Sequence, residues 1–126
     1  MKEWQKHLER AEELICSPVL FENEMFNDAL SEAYYSLFHA ANAILSFKDL
    51  HPRTHKGLIA EFGLQFVATD IIEVDHGKNL AKTEEKCEKA DYDVFYRVSK
   101  EKAESIIEDA QNFFERIMNA IDDLID

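Results

Sequence analysis

Tyr35, His39 and Asn42 are spaced i, i+4 and i+7, so on one helix a phenol, an imidazole and an amide share a face. Such a set can bind a phosphate, a base edge or a backbone group. At 100° per residue, Glu24, Asp28, Ser31, Glu32, Ser46 and Asp49 join them within about 60° of Tyr35. One hydrogen-bonding strip therefore runs along a segment that is otherwise apolar. The plain reading is a solvated face. The sharper one is a cleft or dimer-interface site, favoured by Tyr and His, which are not typical solvating residues.

Other chemistry is thinner. Glu73-Val-Asp-His76 has the Glu-x-x-His form, but a carboxylate-bridged dinuclear metal centre needs a second copy, which the chain lacks. His51 and His55 are four apart, with Pro52 breaking the helix that would join them as ligands, so His55 is expected to cap or pack the helix that follows. Cys87 falls on an apolar seam, where free cysteine acts as a small hydrophobe. Neither a Gly-rich phosphate loop nor a Gly-x-Ser-x-Gly elbow occurs. No metal or cofactor is implied.

The elements that must position these groups read as helices. Few Gly and Pro (3 and 2) disfavour a turn-rich β fold. Apolar spacing near 3.6 gives five segments: about Lys2 to Cys16, Asn23 to Phe47, Thr54 to Phe66, Val74 to Phe95 and Lys100 to Leu124. The second is apolar over more than half its circumference, as a central or dimer-buried helix requires. Thr54 and Ser99 are expected N-caps. The fourth is the least apolar, with a seam of Leu80, Thr83, Cys87, Ala90 and Val94. Short connections favour antiparallel neighbours, so the expected architecture is an all-α up-and-down bundle forming one domain over residues 1–126.

With 26 acidic against 14 basic residues the net charge is −12, which opposes nucleic-acid binding by bulk electrostatics but leaves a local RNA site open. Two cysteines make no disulfide framework, Met1 to Arg10 is too charged for a signal peptide, and no run of about 18 apolar residues exists. A cytoplasmic, membrane-free protein is expected.

Three blocks then carry a likeness. They are Ala33-Tyr-Tyr-Ser-Leu-Phe-His-Ala-Ala41, Thr54-His-Lys-Gly-Leu-Ile-Ala-Glu-Phe-Gly63, and Ala90-Asp-Tyr92 followed by Val98-Ser-Lys-Glu-Lys-Ala103. In this order and spacing the chain resembles the HEPN domain family, in particular its small stand-alone bacterial and archaeal members. The resemblance implies a helical bundle that commonly forms a homodimer. It also implies a minimal nucleotidyltransferase as partner in a toxin–antitoxin-type pair. Many members are metal-independent ribonucleases using an Arg followed, after four to six residues, by a His; Arg steadies phosphate charge while His moves protons. Tyr35 and His39, His55 with its neighbour Thr54, and Asp91 with Tyr92 are the positions that match the family pattern. For Asp91-Tyr92 the structural alternative is an end-of-helix hydrogen bond plus a core aromatic.

The chain departs from the nuclease pattern. Cys87 stands where relatives often carry the arginine, and the histidine window holds Tyr92, Asp93 and Val94. None of Arg10, Arg53, Arg97 and Arg116 has a His at the required interval. A non-catalytic binding module is therefore expected. The alternatives are an atypical ribonuclease toxin in which His39 acts with Lys86 or Lys89, and a nucleotide-binding domain built on Tyr35, His39 and Asn42.

Overall fold

The computed structural model describes residues 1–125, and these contain helices and no strand. The helices are α1 (Glu3–Cys16), α2 (Val19–Glu22), α3 (Phe26–Phe47), α4 (His55–Phe62), α5 (Val74–Tyr92) and α6 (Lys100–Ile125). A π-helical segment, Gly63–Val67, continues α4, with the Ala68 N–H donating to the Gly63 carbonyl. The five expected segments are all present; α2 is an additional single turn.

The differences at the edges have local causes. The second segment starts at Phe26 rather than Asn23, because Glu24 takes a left-handed φ of 60° and the Asn23 amide closes the end of α2 on the Val19 carbonyl. Asp49, at φ 61°, likewise lies beyond α3, so the polar strip loses both its ends. The fourth segment stops at Tyr92, not Phe95. Asp93 turns extended and its carboxylate accepts the Phe95 N–H, leaving Val94 74% exposed instead of on the seam.

α3 is the centre of the bundle. Leu30, Leu37, Ala40, Ala41 and Ile44 are essentially inaccessible, and α1, α4, α5 and α6 all pack on this helix. Its wide apolar circumference is thus used inside one chain. Trp4 meets Phe47 edge-on at 5.5 Å, fixing one end of α1 on α3. The fully buried Ser36 hydroxyl donates to the Ala11 carbonyl at 2.9 Å, tying the pair mid-way. Phe113 of α6 stacks within 5.5 Å of Phe62, which lies 5.7 Å from Phe66 in the π-helical segment. At the other end, Asn27 locks the loop before α6: its amide donates to the Tyr96 carbonyl and accepts the Val98 N–H. No described helix is long and apolar enough to cross a membrane.

Candidate functional site

The strip on α3 does not form one site. Tyr35 is 44% exposed and sets its ring against Tyr34, Phe38 and His55. His39 turns to α1, where its Nδ1 lies 3.1 Å from the Nδ1 of His7. Asn42 donates to the Phe38 carbonyl of its own helix. The three expected partners therefore point to three neighbourhoods, although the strip is half-buried over much of its length rather than simply solvated.

The densest chemistry sits between α3, the start of α4 and the last turns of α5. Thr54 caps α4, its Oγ1 accepting the Gly57 N–H at 2.9 Å. A Cβ at Gly57 would stand 2.9 Å from that same oxygen, which gives the Thr-His-x-Gly block a physical reason. The cap fixes His55 as the first helical residue. Its Nδ1 pairs with the Tyr34 hydroxyl at 2.5 Å, and its ring stacks on Tyr34 and lies 4.8 Å from Phe38. The packing role expected for His55 is met in this way. Tyr34 is buried, and desolvation first, then the Glu84 carboxylate, pushes its hydroxyl far above the ordinary tyrosine value. It stays a neutral donor or acceptor.

Cys87 completes this wall. It is 6% exposed, and its thiol donates to the Ser31 hydroxyl at 3.7 Å. Burial pushes the thiol up, with the carboxylates of Asp91, Glu84 and Glu88 adding to the shift against the Ser31 hydrogen bond. A raised, buried thiol is inert, as the seam position implied. Asp91 and Tyr92 are exposed, Tyr92 at 84%, which corrects the reading of Tyr92 as a core aromatic. The cause is helical phase: at 100° per residue Tyr92 lies about 140° round α5 from Cys87, away from the face that buries Leu80, Thr83 and Cys87.

Two readings of basic partners are also resolved. Lys86 faces α6 in a polar recess with Asp109, and Lys89 pairs with Glu85 at 3.8 Å, while His39 packs against α1. Neither lysine stands in for an arginine beside His39. Instead the charge of Arg10 reaches His39: burial first, then His7, then Arg10 hold its imidazole below the ordinary value. The guanidinium of Arg10 is engaged by Glu13 at 3.1 Å. Arg97 donates to the Val94 and Tyr96 carbonyls, Arg116 pairs with Glu73 at 2.8 Å, and Arg53 is exposed.

Sequence reasoning missed Tyr34, counted only as apolar seam, and His7, which was not weighed. The signal for His7 was its place one residue before Leu8 on the inward side of α1, four after Glu3. The described residues contain no group of three or more His, Cys, Asp or Glu arranged to hold a metal. A groove of about 670 Å³ lies between the end of α1, α2, α3 and α6, lined by apolar residues such as Ile15, Phe21 and Phe114. It contains none of Tyr35, His39, Asn42, His55, Asp91 and Tyr92.

Known proteins match along most of this chain. The model of the HEPN domain family matches residues 4–121. The Methanocaldococcus jannaschii protein named Putative toxin MJ0605 is 41% identical over 125 residues, 98% of this chain and 92% of that one. A second from the same organism, named Putative toxin MJ0142, is 29% identical over 116 residues, 91% and 79% of the two chains. The UPF0332 protein PH1297 of Pyrococcus horikoshii is 45% identical over 80 residues, 63% of this chain and 56% of that one.

Proposed function

Because this chain belongs to the HEPN domain family, we propose that it is a non-catalytic binding module of a toxin–antitoxin-type pair, partnering a second copy and a minimal nucleotidyltransferase. What supports this is Cys87, a buried thiol hydrogen-bonded to Ser31, at the position where the family resemblance leads one to expect the nuclease arginine. A thiol supplies neither the fixed charge nor the forked donors of a guanidinium. Losing such a transition-state donor costs about 3–4 kcal/mol, on the scale of oxyanion-type stabilisation. The net charge of −12 also disfavours RNA capture by the surface at large. The names of two similar proteins place them in a toxin setting, which agrees with a paired system.

A self-association surface has support in one loop. Tyr92, Val94 and Phe95 are 84%, 74% and 89% exposed in the single chain. Adjacent large apolar groups left this open are a common mark of an interaction surface.

A second reading, a ribonuclease using His39, draws on the contact of His39 with His7 and on the nearby charge of Arg10. A nucleotide-binding role is weakened by the divergence of Tyr35, His39 and Asn42. One experiment separates the readings: RNA is incubated with the purified chain after its mass in solution has been determined. Intact RNA and a dimer mass are expected. Cleavage that disappears in His39→Ala would overturn the binding-module reading.

A further inference from the structure

Outside the Tyr34–His55 wall, the main cluster of groups able to ligate lies where α1 crosses α3. His7 and His39 meet there through Nδ1 atoms 3.1 Å apart, with ring centroids separated by 5.3 Å. Behind His7, its Nε2 faces a Glu3 oxygen at 3.8 Å, and the other Glu3 oxygen lies 3.6 Å from His51. We propose that His7 and His39 form a site for one divalent transition-metal ion of the zinc, nickel or copper class, each giving Nδ1, with water completing the coordination and the Glu3 carboxylate nearby.

The geometry needs little change. Metal–imidazole bonds of about 2.0–2.1 Å at a tetrahedral angle place two nitrogens roughly 3.3 Å apart. For the ion to enter, the proton between the two Nδ1 atoms moves to the Nε2 of the ring that carries it, so that both neutral rings turn an Nδ1 lone pair to the metal, and the rings part by a few tenths of an ångström. Imidazole nitrogen suits this class of metal over calcium or magnesium.

Electrostatics point the same way. Burial is the main force holding both imidazoles below the ordinary histidine value, which favours the neutral rings that metals need. Neutral rings bind cations, whereas an anion site here would need them protonated. The Glu3 carboxylate stands 3.8 Å from the distal nitrogen of His7, too far to hydrogen-bond it here but near enough to add negative charge beside the site. Arg10 is the opposing charge, and Glu13 engages it at 3.1 Å. Glu32, whose carboxyl is also within reach of the Arg10 charge, and Glu3 keep the surroundings acidic. The His7 side chain is 25% exposed, so water can complete the coordination.

The test uses the untagged full chain, titrated with Zn²⁺ against a chromogenic chelator, with Mg²⁺ as the comparison. We expect saturable uptake of one Zn²⁺ per chain, lost in His7→Ala and in His39→Ala and retained in His51→Ala. Glu3→Gln is expected to weaken uptake by less than about tenfold, as loss of an exposed nearby charge does. Since an alanine at either site can loosen α1, imidazole ¹⁵N spectra of the unaltered chain give a readout independent of any variant. There Zn²⁺ is expected to shift the Nδ1 signals of His7 and His39. No saturable uptake, uptake that survives both alanine changes together, or spectra in which those two Nδ1 signals stay fixed would each overturn the site.

Discussion

The Tyr34 hydroxyl and the His55 Nδ1 lie 2.5 Å apart, joining the middle of α3 to the first residue of α4. The bond is part-buried: Tyr34 is only 2% exposed, while His55 keeps some access to water. Its removal costs the bond but lets water reach the nitrogen. Tyr34→Phe is expected to lower unfolding stability by about 0.5–1.5 kcal/mol, the range for the net worth of one hydrogen bond. Tyr35→Phe, at a 44% exposed position, is expected to change it by less than about 0.5 kcal/mol. Urea denaturation of the two variants beside the parent chain measures the contrast.

That pair also shows where sequence reading stops. The helices were legible because periodicity is a property of each segment alone: the apolar spacing of α6 and α3 needs no knowledge of neighbours. The cap at Thr54 was legible for the same reason. The ends of α3 and α5 were less so, since a left-handed Glu24 and an Asp93 side chain capturing the Phe95 N–H leave no periodic trace. The π-helical turn at Gly63–Val67 leaves none either. The site was the least legible part. Tyr34 and Tyr35 are adjacent and chemically alike, and helical phase alone assigned the polar role to Tyr35. The choice between them is made by His55, twenty-one residues away, and His39 is likewise claimed by His7 across a helix crossing.

The two cysteines should differ in reactivity. Cys16 is exposed, while Cys87 is buried with its thiol pushed up and donating to Ser31. Alkylation needs an accessible thiolate. Iodoacetamide at neutral pH is expected to label Cys16 in the folded chain and to reach Cys87 only after denaturant is added. Peptide mass spectrometry of timed samples reads both sites. Rapid labelling of Cys87 in the native state would contradict the packing of α5 on α3.

The imidazole pair gives a pH dependence with a definite sign. Burial lowers both groups below the ordinary histidine value; for His39, His7 and Arg10 add to it, and for His7, Glu3 opposes while His51 adds. The unfolded chain therefore binds protons first as pH falls, and stability declines with acidification. The contribution is fully present above the unfolded value and is lost as pH drops through the folded values. Metal-free protein is expected to show a lower urea midpoint at pH 5.5 than at pH 7.5. His39→Gln, which removes one titrating ring, is expected to flatten that difference, and an equally steep profile would assign the dependence to other groups.

Gly57 and Thr54 should act as one unit. A methyl at Gly57 stands 2.9 Å from the Thr54 Oγ1, inside any ordinary contact distance, and that oxygen caps α4 through the Gly57 N–H. Gly57→Ala brings two opposed effects. Helix propensity favours alanine by up to about 1 kcal/mol, while displacement of the cap costs about 0.5–2 kcal/mol. Thr54 is β-branched and has little freedom to swing its oxygen aside without abandoning the cap. The single change is therefore expected to destabilise, or at best to gain nothing. In a Thr54→Ala background the clash and the cap are both gone, and the same Gly57→Ala change is expected to stabilise. A double-mutant cycle measured by denaturant unfolding thus predicts a coupling of about 0.5–2 kcal/mol with a reversal of sign. Additive behaviour would mean that the Thr54 oxygen accommodates the methyl without losing the cap.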